Sequence, residues 1–321
     1  MVEYRHDYPM YFCVVKILVF RANIYKSKKM KKILISTVIA ILTVCGLYAQ
    51  DVKFGVRGGL NLPNLMAGSN KTPLSEGYKS RLAPGWGIFS ELKINSTVSF
   101  RFGAEYSGMG GKKDGMQAMP TGRLFTAMGG SMALGMTSDQ QMALGGLMKW
   151  AETTQYYYAD IKNTAKFDYM MIPLLVQLGR DLGTSPWHVY VNGGPFVSFL
   201  LSGKQASKGI SKMYADPSGT STLWDVMPNE MKFGISEVFP QMESMLNDPV
   251  KYGEHTITGE LKSVNFGVST NVGIRYQLGH NYIFLEAGGN YGFFTVQEKD
   301  IHGSNRIGAA SIMAGYAFSL F

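Results

Sequence analysis

Apolar and polar positions alternate with a period of two over long stretches of this chain, the signature of strands with one buried and one contrasting face. The last stretch shows it well: Gly308, Ala310, Ile312, Ala314, Tyr316, Phe318 and Leu320 share one face, and Ser311, Gly315, Ala317 and Ser319 the other. Left unpaired, such a strand would be an aggregation-prone edge, so it is expected to close against the first strand, Asp51 to Leu62. There Val52, Phe54, Val56, Leu60 and Leu62 oppose Lys53, Gly55, Arg57, Gly59 and Asn61.

Six more segments repeat the pattern. Trp86, Ile88, Leu92 and Ile94 alternate with Gly87, Phe89, Glu91 and Lys93; Val98 to Tyr106 sets Phe100, Phe102 and Ala104 against Ser99, Arg101, Gly103 and Glu105. Asp168 to Leu178, Trp187 to Leu201, Val264 to Gln277 and Ile283 to Phe293 follow. Short links (Asn95 to Thr97, Gly179 to Pro186, Gly279 to Asn281) alternate with long ones (about 63–83, 109–167, 202–263 and 295–305). This predicts an all-β fold, an eight-stranded antiparallel up-and-down transmembrane β-barrel, with termini and tight turns periplasmic and partly helical loops outside.

A soluble barrel would turn the apolar face inward. The face opposite the aliphatic one holds Arg57, Glu91, Arg101, Glu105, Arg275 and Glu286, too many charges for a dry core. Eight strands leave an interior that side chains fill, so these six are read as a mutually neutralising lumen network, with Glu91 facing Arg101 across the Asn95–Thr97 turn. Outward aromatics form an interfacial girdle: Phe54, Trp86, Tyr106, Trp187, Phe199, Tyr276, Tyr291, Phe293, Tyr316 and Phe318. Pro173 and Pro195 remove ladder donors inside a sheet without edges, which predicts bulges there.

The formal net charge of +8 would invite a nucleic-acid reading, but the start of the chain removes it. Met30-Lys31-Lys32, an apolar run from Ile33 to Leu47 and Tyr48-Ala49-Gln50 form a secretory signal peptide, with cleavage after Ala49. The domains are then 1–29, a leader or mis-assigned start; 30–49, the signal; and 50–321, the barrel. Export removes Cys13 and Cys45, and the net charge of the remainder falls to about +2. A disulfide or thiol chemistry is excluded from that remainder.

Four runs carry a family resemblance: Phe54-Gly55-Val56-Arg57-Gly58-Gly59-Leu60-Asn61, Asp168-Tyr169-Met170-Met171-Ile172-Pro173-Leu174-Leu175, Asn192-Gly193-Gly194-Pro195-Phe196 and Gly315-Tyr316-Ala317-Phe318. They resemble the PorT-like outer-membrane β-barrel family of Bacteroidota, apart from Met171, where that family usually has an acidic residue. The resemblance implies the outer membrane and an eight-stranded barrel. Its namesake's association with protein secretion does not fix a role for every member.

Catalytic chemistry finds little support. His188 and His280 fall at the periplasmic end and His255 and His302 in outer loops, with no histidine at an outward strand position. No cofactor or metal is called for, there being no paired-His spacing. The long loops are individual: 109–165 is rich in methionine (Met109, Met116, Met119, Met128, Met132, Met136, Met142, Met148), with Ser138-Asp139-Gln140-Gln141 read as a capping box. Thr222 to Leu246 reads as helix interrupted at Pro228 and Pro240. The methionines are expected to pack on one another over the barrel mouth, or to form an adaptable binding surface.

The expectation is a non-enzymatic, monomeric outer-membrane protein, structural or partner-binding through its extracellular loops. It would contact outer-membrane lipid and a protein partner, and no nucleic acid. The alternatives are an accessory of a secretion or envelope machine and a small lipid-modifying enzyme.

Overall fold

A computed structural model describes residues 52–67, 72–132, 137–240, 242–299 and 303–319, without the side chains of 127–132. The leader and signal segments, Cys13, Cys45, Met136, His302, Leu320 and Phe321, and the side chains of Met128 and Met132, lie outside the described residues.

Nine strands form in chain order: β1 (Val52–Ala67), β2 (Ala83–Lys93), β3 (Val98–Pro120), β4 (Tyr156–Asp181), β5 (Trp187–Ser211), β6 (Val250–Thr256), β7 (Val264–Leu278), β8 (Asn281–Thr295) and β9 (Asn305–Ser319). Antiparallel pairing runs β4-β3-β2-β1-β9-β8-β7-β5, and β4 also pairs with β5, so eight strands close a ring. β1 meets β9 from Lys53↔Ser319 to Ala67↔Asn305, the closure expected of the final strand. The ninth strand, β6, hangs on the upper part of β5 alone.

The tight turns are built locally. The Asn95 side chain accepts from the backbone N–H groups of Thr97 and Val98, at 2.9 and 2.8 Å, and Glu91 pairs with Arg101 across the hairpin. The turn between β7 and β8 is only Gly279 and His280, with Gly279 at φ 62°, a left-handed conformation that glycine adopts without strain.

The long links differ from the sequence expectation. Residues 109–120 and 156–167 are not loop: the β3–β4 ladder continues without a register shift from Val98↔Leu178 to Pro120↔Tyr156. β5 likewise extends to Ser211, paired with β4 and β6. Outside the bilayer no lipid demands an apolar outer face, so the dyad hydropathy fades while the hydrogen bonds persist. Helices occupy only the tips: α1 (Thr121–Met132), α2 (Ser138–Thr153), α3 (Leu223–Val226), α4 (Asn229–Val238) and α5 (Met242–Asn247). Breaks fall at Pro228 and next to Pro240, where the missing N–H and ring bulk disfavour continuation. The α2 capping box is shifted one residue from expectation, to Thr137 and Gln140.

The bulges are not at the prolines. Pro173↔Phe196 and Pro195↔Val268 stay in register. The β4–β5 shift lies at Asp168/Tyr169, where Tyr169 pairs with Leu200 and Asp168 with Ser202, leaving Leu201 over. One extra residue reverses the facing of everything beyond it. Ser198 is buried inside below the shift, and Ser207 above it.

Two apolar clusters stack above the charged lumen. The lower one, in the barrel mouth, gathers Met109, Phe167, Tyr169, Met171, Phe196, Leu261 and Ile307. The upper one holds the helices on the strand extensions through Phe125, Leu147, Tyr157, Met213, Leu223, Ile235, Phe239 and Leu246. Of the placed methionines, Met109 is in the lower cluster, Met213, Met227 and Met242 are buried in the upper one with Met119 packed against it, and Met142 and Met148 are exposed. Aromatic and branched side chains from both long links share that upper core with the buried methionines.

Candidate functional site

The six lumen charges converge. Glu286 accepts from Arg57 at 2.9 Å, from Tyr190 at 2.9 Å and from Asn192 at 3.1 Å, and also pairs with Arg101. Glu91 accepts from Arg275 at 3.0 Å, from Arg101 at 3.4 Å and from the Tyr282 hydroxyl. Glu105 takes the second arm of Arg57. Three arginines thus meet three carboxylates, and two of those carboxylates each serve two arginines.

Around this layer stands an aromatic shell that the sequence pattern did not single out. The Arg101 guanidinium lies 4.5 Å from the Phe89 ring centroid and 5.3 Å from that of Phe284, and Arg275 lies 4.9 Å from Tyr282, distances at which the ring faces attract cations. Each of three rings sits over a glycine on the adjacent strand: Phe89 over Gly55, Phe284 over Gly315, Tyr190 over Gly273. A Cβ on any of these glycines would come within 2.3 to 2.4 Å of the ring. The signal lay in register, which joins positions far apart in sequence.

The aromatics proposed for the girdle fall on the outer wall. Phe54, Trp86, Trp187, Phe293 and Tyr316 are exposed; Tyr106, Phe199, Tyr276, Tyr291 and Phe318 are partly so. Near the tight turns Trp187 meets Tyr276 edge-on at 4.9 Å, and Tyr316 stacks with Phe318 at 6.2 Å. Trp86 stacks with Tyr106 at 5.6 Å, and Tyr291 meets Phe293 edge-on at 6.1 Å. Of the histidines, His188 bonds Asp181 at 2.7 Å, and His280 lies in a tight turn where its carbonyl accepts from Lys53. His255, on β6, borders the cavity described next. Burial, reinforced by nearby Arg123, lowers its pKa below the usual histidine value.

Between the two apolar clusters lies a cavity of about 630 Å³, walled by the extensions of β3, β4, β5 and β6. Its floor includes Phe167 and Leu261, and its upper wall Tyr157 and Met213. One rung crosses three strands: Lys113 on β3 pairs with Asn163 on β4, which pairs with Ser207 on β5. All three side chains are buried and line the cavity. Lys113 donates to the carbonyl of Leu74 at 2.8 Å and lies 4.4 Å from the Tyr78 ring centroid. Burial lowers its pKa to about 8, with Glu76 pulling the other way. Asn163 Oδ1 and Ser207 Oγ make no hydrogen bond. Across the cavity Arg123 pairs with Glu260 at 2.7 Å. Among the described residues no group of three His, Cys, Asp or Glu side chains is placed to hold a metal.

The family described as outer membrane protein beta-barrel domain matches residues 48–298, more than half of the chain. The chain belongs to this family. Its members' location places the barrel in the outer membrane, with the strand extensions and helices forming an extracellular head. Solved structures similar to it include Neisserial surface protein A (12% identity, covering 83% of this chain and 97% of that one, TM-score 0.32). OprG of Pseudomonas aeruginosa is similar at 10% identity, covering 85% and 97%, with TM-score 0.32. A major outer membrane protein of Thermus thermophilus shows 13% identity, covering 84% and 99%, with TM-score 0.35. No curated protein matches the chain.

Proposed function

We propose that this outer-membrane barrel is a non-enzymatic binding protein that acts through its extracellular head, after export on the cleavable signal at 30–49, and that it is a PorT-like protein of Bacteroidota. The observation carrying the reading is the contrast between lumen and head. The lumen is filled by the ion-pair layer and the apolar plug above it, whereas the head combines a folded core with a cavity. Recognition on a rigid scaffold usually sits in such excursions.

The test is to exchange residues 121–155 and 212–249 for short Gly-Ser turns. These cuts spare the ladder, which ends at Pro120↔Tyr156 and Ser211↔Val250. The trimmed barrel is expected to keep the gel-mobility shift on boiling that marks a closed barrel, and to fail to complement a gene deletion. Full complementation would sink this reading and favour an envelope-machine accessory acting through the barrel wall or periplasmic turns.

A further inference from the structure

We propose that the head cavity binds a small amphipathic carboxylate, its acidic group on the Lys113–Asn163–Ser207 rung and its apolar body between the two clusters. The proposal deepens the binding reading above and rests on it.

The rung is the unexplained feature. Buried polar groups are almost always hydrogen-bonded, and each orphan calls for a reason. Here two orphans, Asn163 Oδ1 and Ser207 Oγ, are neighbours on adjacent strands, more than nine-tenths buried, and both line one cavity. The third member of the rung is a cation. Lys113 makes no ion pair among the described residues, and its ammonium bonds the backbone carbonyls of Leu74 and Pro73. An ammonium has three protons, a serine hydroxyl one and an amide two, and the amide can rotate to offer either end. The row therefore presents donors from three side chains, suited to an acceptor that carries negative charge.

The remaining lining agrees. Arg123 and Glu260 neutralise one another, so the charge left over on the buried lining is that of Lys113, and the exposed Lys251 adds a second positive charge. Phe167 and Leu261 on one side, and Tyr157 and Met213 on the other, leave apolar walls on which a hydrocarbon or aromatic body buries its surface. A cavity of about 630 Å³ suits a molecule rather than a bare ion. A charge-free ligand would leave the lysine uncompensated, and a cationic one would face it directly.

The full-length protein in nanodiscs, against empty nanodiscs, should be titrated with dansyl-L-phenylalanine and, separately, with its uncharged carboxamide, following dansyl fluorescence. One saturable site is expected, at least tenfold tighter for the acid. Lys113→Met should cost the acid at least tenfold and abolish the preference. Lys113→Arg should keep it, and Ser207→Val should weaken the acid severalfold. The boiling-dependent mobility shift reports folding for each variant. Equal binding of the two probes, no binding of either, or an unchanged preference in both Lys113→Met and Ser207→Val would overturn the proposal. Those results would leave the head-exchange test to decide the broader binding reading separately.

Discussion

The ring of Phe89 occupies the space above Gly55, its partner on the neighbouring strand, so closely that a Cβ at 55 would stand 2.3 Å from the ring's Cζ. The ring belongs to the shell around Arg101 and cannot move aside without disturbing that guanidinium. Gly55→Ala is therefore expected to destabilise the barrel by about 1 to 3 kcal/mol, as overpacking does, and Phe89→Ala by roughly 3 to 5 kcal/mol. The double substitution should cost less than the sum, because the smaller side chain at 89 removes the clash. Thermal loss of the folded gel mobility measures all three, and strict additivity would contradict the packing account.

The lumen network yields a second expectation. Removing the charge in Glu286→Gln leaves Arg101 and Arg57 short of a shared partner, at a cost of about 3 to 5 kcal/mol in a buried site. A simple hairpin pair at Glu91 and Arg101 would be restored by exchanging the two residues. The observed sharing predicts the opposite: an arginine at 91 would face Arg275, and a glutamate at 101 would face Glu286. A double exchange as stable as the native protein would show that the pairs act independently.

Lys113 gives the cavity a pH dependence. Its pKa is pushed down to about 8 by burial, with Glu76 nearby and Tyr78, itself raised to about 12, stacked against it. A bound anion favours the ammonium and raises that value, so affinity for an acidic probe should be full below about pH 8. Affinity should fall as pH climbs from there towards the pKa of the occupied site, and level off above it. In Lys113→Arg the fall should vanish, since guanidinium keeps its proton throughout. A native profile flat from pH 7 to 10 would remove Lys113 from the site.

Much of the barrel was readable because lipid imposes an apolar outer face. Val98 to Tyr106 shows the alternation cleanly, and the odd-length turn after Ile94 fixed the register that sets Glu91 opposite Arg101. Legibility stopped where lipid stops. The sequence Gly110-Gly111-Lys112-Lys113-Asp114 has no dyad contrast, yet Lys112 and Lys113 sit in a ladder extending the same register. Carrying that register upward would have paired Lys113 with Asn163. Ser207 was harder to place, since Leu201 intervenes as an unmatched residue and the alternation below it puts even positions inside.

The 26 residues of β4 correspond to about 85 Å of strand, whereas a tilted strand needs only about 9 to 11 residues to traverse the hydrocarbon. The surplus makes a stiff mast continuous with the wall, so the Lys113 rung is carried on hydrogen-bonded sheet and cannot swing on a hinge. A ligand held on that rung would stand at a fixed height above the lipid.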